Sequence, residues 1–352
     1  MILLLSACVC LAVVVWNVTR WPAVRVPETL PDGKVAVLIP ARDEEANLAA
    51  CLESILPQAC VAEILIYDDH SSDATRAIAE SFARRDSRVR LAATAPLPPG
   101  WCGKNFACSR LAAEAGAPWL LFLDADARLC PSAVAGMVGE AQRRSATLLS
   151  CWPGLTMISF VEKLFMPMLN FVVFSVYPAP LGLMLRSRSL GLAHGACILA
   201  EKRTYDALGG HTTVASEIFE DTRLAQVWRE RGELSICLDG RDTVRVRMYA
   251  SAAGIWLGFQ KNFRGAFQTE AAFWIFLAFH ALVFLYPFLA LRSAALLVIA
   301  ARLLLAWRFR QPLWSALLHP VGEIFVLALG ISSWWAWTRD GVAWKGRVYR
   351  GA

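Results

Sequence analysis

Hydrophobic positions along this 352-residue chain follow two patterns. Between residues 35 and 143, apolar runs of four or five residues alternate with helix-like segments of eleven to thirteen residues. Near both ends the apolar runs are much longer, as in Met1–Trp16 and Ala271–Leu291. The first pattern predicts strands that alternate with helices, and the second predicts helices that enter a membrane.

The alternating segments form a regular series of strand and helix. Their order is Val35–Ile39, Glu45–Leu56, Glu63–Tyr67, Asp73–Arg84, Val89–Ala92, Asn105–Ala115, Trp119–Leu123 and Pro131–Arg143. This order predicts an α/β fold with a doubly wound, mostly parallel sheet. Ligands of such sheets bind beyond the carboxyl ends of the strands, so the residues that follow each strand are the places to look for chemistry.

The N-terminal apolar run predicts a signal anchor within residues 1–25. Arg20 and Arg25 follow Met1–Trp16, and no cleavage site of small residues stands out. A cleaved signal peptide is the alternative, although its positive residues would precede the apolar run. The positive-inside rule then places the domain at residues 33–250 in the cytoplasm.

The C-terminal third predicts membrane helices at residues 271–337, between a juxtamembrane segment at 251–270 and a basic tail at 338–352. The apolar runs are Ala271–Leu291, Ala294–Trp307 and Leu313–Trp337. Three crossings would put the basic tail outside the cell, against the positive-inside rule. Either one run is re-entrant, at His319-Pro320, or the charge rule fails here.

A further apolar segment at residues 155–185 is broken by charges and prolines, including Glu162, Pro167 and Pro178. It is therefore poorly suited to cross a bilayer, and we predict that it lies in the membrane interface and meets the acceptor. A buried pair of core helices is the alternative.

Composition supports a protein of the cell membrane, inner or plasma membrane, that crosses it more than once. The chain is 57% hydrophobic and 18% charged, with a mean hydropathy of +0.45. Its net charge of +6 gathers as arginines beside the apolar ends, which suits anionic headgroups better than nucleic acid. The ten cysteines form no C-x-x-C pair, which indicates reduced thiols in a cytosolic domain.

Carboxylates follow the first two predicted strands. The candidate donor-binding residues there are Pro40, Arg42, Glu44, Asp68 and Asp69. Acidic groups at such an edge accept hydrogen bonds from a nucleotide base or ribose. Helix capping explains either segment alone, but their occurrence on consecutive strands favours a nucleotide site.

Asp124 and Asp126 come directly after the apolar strand Trp119–Leu123. Two carboxylates one residue apart at a strand end can hold Mg²⁺ or Mn²⁺ on a diphosphate. Such a cation would stabilise the negative charge of a departing nucleoside diphosphate. We therefore predict that both residues bind metal and that Asp124 also binds the donor.

Two later positions complete the candidate site. Lys104 opens a helix, where its ammonium can meet a donor phosphate, although a solvated surface charge is the alternative. Glu220 and Asp221 lie in the first turns of a predicted helix, Glu217–Arg231. Displacement of a nucleoside diphosphate by an acceptor needs a base, for which Asp221 is the first candidate and Glu220 the reserve. The alternative is a carboxylate that pairs with the helix dipole.

These motifs together resemble the family 2 glycosyltransferases of the GT-A fold. The segments that carry the resemblance are Val37–Glu45, Asp68–Thr75, Asp124–Asp126 and Glu220-Asp221. Finer segments are similar to the bacterial membrane branch that includes diaponeurosporenoate (carotenoid) and hopene-associated glycosyltransferases. These are Trp101–Lys104, Leu148–Pro153, Ala207–His211, Gln260–Phe263, His319-Pro320 and Trp344–Tyr349.

The resemblance implies an inverting mechanism, nucleotide binding by Pro40–Glu44 and Asp68-Asp69, metal and diphosphate at Asp124 and Asp126, and a base at Asp221. The Q-x-x-R-W motif of processive synthases is not matched, since Gly265 follows Arg264. The leading hypothesis is thus a non-processive, hexosyl-type transferase. Its donor is a nucleotide sugar, with UDP as the first guess, and its acceptor is a lipid such as an isoprenoid, carotenoid, hopanoid or glycolipid.

Four alternatives remain. A polyprenyl-phosphate sugar transferase or a polysaccharide synthase would differ in product length. An inert transport or scaffold protein would carry paired charges within its apolar helices, where only Arg292, Arg302 and Glu323 qualify. A nicotinamide-dependent oxidoreductase is weaker, because the first strand-helix turn lacks G-x-G-x-x-G.

Overall fold

The computed structural model describes residues 1–29, 31, 34–339 and 341–349. Residue 33, where the predicted domain begins, and residues 340 and 350–352 of the predicted basic tail lie outside the described residues. The chain forms two compact units. The sheet unit comprises Pro22–Thr156 and Leu181–Arg247, and the helical unit comprises Met1–Trp21, Met157–Pro180 and the chain from Met248 onward.

Strands and helices alternate through the first half of the sheet unit. The strands of the described chain are β1 Val35–Ala41, β2 Val61–Asp68, β3 Val89–Leu91, β4 Trp119–Leu123, β5 Ala127–Leu129, β6 Leu148–Leu155, β7 Cys197–Glu201, β8 Ser235–Val246, β9 Val342–Trp344 and β10 Arg347–Tyr349. The helices are α1 Ile2–Arg20, α2 Leu48–Ile55, α3 Thr75–Arg85, α4 Gly103–Glu114, α5 Ala133–Arg144, α6 Phe160–Phe165, α7 Pro167–Phe174, α8 Ala179–Met184, α9 Lys202–Leu208, α10 Glu220–Glu230, α11 Ala252–Phe263, α12 Glu270–Phe279, α13 Pro287–Ala290, α14 Arg292–Arg308, α15 Trp314–Leu317 and α16 His319–Arg339.

The sheet unit is built on one eight-stranded sheet in the order β3-β2-β1-β4-β7-β6-β8-β5. Strands β3, β2, β1 and β4 run parallel, and β6 runs parallel to β8. Strands β7 and β5 run antiparallel to their neighbours. The predicted α/β fold with a mostly parallel sheet is confirmed.

The core of the sheet unit explains why β1 and β4 are continuous apolar runs. Every residue of Val35–Ile39 is fully buried, as expected for a central parallel strand covered on both faces. On one face Leu111 of α4, Leu120 of β4 and Trp228 of α10 belong to a single buried cluster. This packing fixes α4 and α10 against the same side of the sheet.

The helical unit gathers the long apolar helices. Among the described residues, three helices are long and apolar enough to cross a membrane: Ile2–Arg20, Glu270–Ala290 and His319–Arg339. The second contains a π-helical turn at His280–Leu285. The run predicted at Ala294–Trp307 forms α14, a 17-residue helix.

Buried polar side chains join the helices of this unit. The Asn17 amide donates to the carbonyls of Phe174 and Tyr177 at 2.9 and 2.8 Å, and its oxygen accepts from the Ala179 N–H at 2.8 Å. Elsewhere His280 Nδ1 lies 2.7 Å from Glu323 Oε1, and both side chains are fully buried. These contacts fix the register of helices that apolar packing alone leaves loose.

The segment at 155–185, which was predicted to lie in the membrane interface, is partly exposed and partly buried. Ile158 and Phe160 are exposed, whereas Phe171 and Phe174 are fully buried. Helix α6 begins with a capping box in which Ser159 and Glu162 exchange hydrogen bonds. The location of the exposed part in the membrane interface stays a prediction.

Candidate active site

The carboxyl ends of β1, β2 and β4 meet at one edge of the sheet, because these three strands are parallel neighbours. Asp124 follows β4 at this edge. Its N–H donates to the Ala196 carbonyl at 3.1 Å, which brings the loop before β7 alongside. The edge is therefore lined by the residues at the ends of β1, β2 and β4 and by the loop before β7.

The predicted donor-binding segments are joined to each other. Arg42 Nη1 donates to the Asp69 carbonyl at 2.8 Å, and the Glu44 N–H donates to Thr75 Oγ1 at 2.7 Å. Asp68 and Asp69 are largely buried, and Pro40 is half-buried near the end of β1. The structure thus brings these predicted residues together, while their contact with a nucleotide stays a prediction.

Lys104 is the centre of a charged cluster. Its Nζ lies 2.8 Å from Asp124 Oδ1 and 3.1 Å from Oδ2, and 2.9 Å from Glu220 Oε1. Burial opposes the positive charge, but Asp124 and Glu220 outweigh it and raise the pKa of Lys104 well above its ordinary value. The ammonium therefore joins the strand-end carboxylate to the start of α10.

Asn105 explains why α4 and α10 approach so closely. Its buried amide nitrogen donates to the carbonyls of Val214 and Glu217 at 2.6 and 2.8 Å, in the segment that leads into α10. The Cys102 N–H also donates to the Ala215 carbonyl at 2.7 Å. The first turn of α4 is thus fastened to the approach of α10, which aligns Lys104 with Glu220.

Asp221 is held by backbone amides on both carboxylate oxygens. The Gly195 N–H donates to Oδ2 and the Thr222 N–H donates to Oδ1, each at 2.6 Å. Burial, reinforced by the neighbouring Glu220 charge, raises the pKa of Asp221 to about 7. A carboxylate with that pKa is suited to accept a proton near neutral pH.

The loop of residues 194–196 is part of the site, and sequence reasoning missed it. A Cβ at Gly195 would lie 3.1 Å from Lys104 Nζ, 3.2 Å from Asp221 Oδ2 and 3.4 Å from Glu220 Oε1. Burial lowers the pKa of the adjacent His194 to about 3, so its imidazole is neutral. The sequence signal, a glycine shortly before an apolar run, is too common to have identified the loop.

Asp124 and Asp126 suit a hard divalent cation by donor type. Within the described residues, no group of three or more His, Cys, Asp or Glu side chains could hold a metal ion by itself. Two aspartates would therefore leave further coordination positions to water and donor oxygens, as Mg²⁺ usually requires. Glu220 and Glu44 add negative charge near Asp124, although the Lys104 ammonium has the largest charge effect on that carboxylate.

Comparison with known proteins connects these features to a family. Residues 36–206 match the family described as Glycosyl transferase family 2. The chain is 25% identical to the 4,4'-diaponeurosporenoate glycosyltransferase of Staphylococcus aureus, over 90% of this chain and 88% of that protein. It is 28% identical to the Staphylococcus haemolyticus protein of the same name, over 61% of this chain and 56% of that protein.

A solved structure shares the fold. The mannosyltransferase PcManGT from Pyrobaculum calidifontis, in complex with GDP-Man and Mn²⁺, matches with a TM-score of 0.55 at 16% identity. The match covers 95% of this chain and 100% of that chain. The GT-A-like architecture implied by the sequence motifs is thereby confirmed.

Proposed function

We propose that this chain is a family 2 glycosyltransferase that transfers one sugar, with inversion, from a nucleotide sugar to a lipid-like acceptor, in keeping with the family 2 match at residues 36–206 and with the staphylococcal relatives. The observation that carries this proposal is the charged cluster at the strand ends. Lys104 Nζ contacts both Asp124 and Glu220, and Asp221 is the next residue after Glu220 on α10. That arrangement offers a leaving-group side and a proton-accepting side within one site.

Asp221 is the proposed base. Its amide contacts with Gly195 and Thr222 hold the carboxylate in place. A pKa of about 7 lets it take the proton of an acceptor hydroxyl as the sugar carbon is attacked. An acceptor that is already a carboxylate has no proton to lose and would need no such base.

The donor side is assigned to the first three strand ends. Pro40, Arg42, Glu44, Asp68 and Asp69 would hold the nucleoside, and Asp124 with Lys104 would face the diphosphate. Asp124 and Asp126 would hold Mg²⁺ or Mn²⁺, which supplies charge neutralisation on the leaving diphosphate. The mannosyltransferase with the same fold holds GDP-Man and Mn²⁺, which supports this assignment.

The acceptor is proposed to be a lipid of the isoprenoid, carotenoid, hopanoid or glycolipid kind. The staphylococcal relatives are named for 4,4'-diaponeurosporenoate, and this chain has three helices able to cross a membrane. We place the sheet unit on the cytoplasmic side of a multi-pass cell membrane protein, because nucleotide sugars are made there and Arg20 and Arg25 lie at and after the end of the first helix.

Release of nucleoside diphosphate tests the donor part of the proposal. Purified protein in detergent is incubated with UDP and GDP sugars in turn, with Mn²⁺, and with or without total lipid extract. We expect one donor to give release that depends on added lipid. Equal release without lipid from every donor would contradict transfer to a lipid.

A further inference from the structure

Lys104 contacts both oxygens of Asp124, the carboxylate to which the proposed function assigns a metal ion. Its Nζ contacts Asp124 Oδ1 at 2.8 Å and Oδ2 at 3.1 Å, and it contacts Glu220 Oε1 at 2.9 Å. An ammonium at these distances already neutralises part of the negative field that would attract a cation. The side chain is not a mobile surface lysine, since it is about two-thirds buried and its helix is fastened by Asn105.

A divalent cation that binds Asp124 must share this carboxylate with the ammonium. Like charges a few ångströms apart repel strongly in a partly buried site. A nucleoside diphosphate changes the balance, because its oxygens offer the ammonium another anionic partner. Lys104 should therefore oppose the metal alone more than it opposes the metal with nucleotide.

We propose that Lys104 is an internal counter-ion that weakens divalent-metal binding at Asp124 until a nucleoside diphosphate is present. The inference rests on the proposed metal and donor site. It gives Lys104 a role beyond contact with phosphate, because it makes metal binding depend on the donor. Such an enzyme binds little divalent metal without donor and binds the metal together with the nucleoside diphosphate.

The test measures Mn²⁺ binding to the full chain in detergent, with and without UDP, by the paramagnetic signal of free Mn²⁺. Without UDP, Lys104→Met and Lys104→Gln should bind Mn²⁺ roughly tenfold more tightly than wild type, within the usual range of coupling between sites. The factor by which UDP strengthens Mn²⁺ binding should shrink correspondingly. Lys104→Arg keeps the charge and should keep most of the wild-type coupling.

A matched control comes from Lys202→Met, which removes a lysine that pairs with Asp206 at 3.0 Å on α9. This variant should leave Mn²⁺ affinity unchanged. Circular dichroism selects variants with a native fold, and either neutral substitution suffices. Unchanged or weaker Mn²⁺ binding by a folded neutral variant would overturn the role of Lys104. Failure of wild type to bind Mn²⁺ even with UDP would instead overturn the proposed metal site and the inference with it.

Discussion

Substitution of Asp221 by asparagine tests the proposed base. The substitution keeps the size of the side chain but removes its ability to take a proton. General bases contribute about 10²–10⁴-fold to turnover, so transfer to a hydroxyl acceptor should fall by roughly that factor. The variant also loses one of the two backbone hydrogen bonds that the Asp221 oxygens accept, but nucleotide affinity should change little because the nucleoside is assigned to the ends of β1 and β2.

The pH dependence of wild-type turnover gives a second quantitative expectation. A pKa of about 7 means that the carboxylate is protonated, and unable to act as a base, at lower pH. Turnover should therefore level off above pH 7 and fall about tenfold for each pH unit below it. In Asp221→Asn this acid limb should disappear along with most of the activity.

The assay follows labelled sugar transfer to a soluble alcohol or lipid alcohol under saturating donor, with nucleotide affinity measured by calorimetry. Asp206→Asn, on the exposed side of α9, controls for the chemistry of the substitution. If Asp221→Asn retained near-normal turnover with the wild-type pH profile, the reasoning would be refuted. Loss of turnover in Glu220→Gln instead would transfer the role of base to Glu220.

Three further outcomes are expected. Chelation should abolish transfer, and Asp126→Ala should lose metal-supported activity without loss of the folded state; full activity after chelation would exclude the metal. Ser87→Cys, at an exposed position, should resist an impermeant thiol reagent in intact cells and react after lysis, and labelling before lysis would reverse the proposed orientation. Gly195→Ala should lower turnover at least tenfold, because its Cβ would crowd three charged atoms at 3.1 to 3.4 Å, and a wild-type rate would show that the loop readily gives way.

Burial on both faces makes β1 and β4 continuous apolar runs, and both were predicted from the sequence. The predicted Trp119–Leu123 agrees with β4, and the predicted Val35–Ile39 lies within β1. Strands β5 to β8 were missed. β8 carries charges such as Arg241 and Asp242, and the pairing of β7 with β4 and β6 depends on contacts distant in the chain.

The sequence likewise predicts only part of the candidate site. Residues at the carboxyl ends of parallel strands, such as Asp68 and Asp124, could be predicted because these strand ends share one edge of the sheet. The bridge from Lys104 to Glu220 depends on the way Asn105 fastens α4 to the approach of α10. No local sequence pattern encodes that contact, since the partners are more than one hundred residues apart.

The most direct test of the proposed function is the mass of the lipid product. Purified wild-type protein is incubated with the effective nucleotide sugar, Mn²⁺ and a total bacterial lipid extract, and the extracted lipids are compared by mass spectrometry with a reaction that contains Asp221→Asn. We predict a new lipid species heavier than its parent by one sugar residue, which wild type forms and which the variant forms far more slowly where the acceptor group is a hydroxyl. A ladder of products with many sugars, or free sugar without any new lipid, would contradict single transfer to a lipid acceptor.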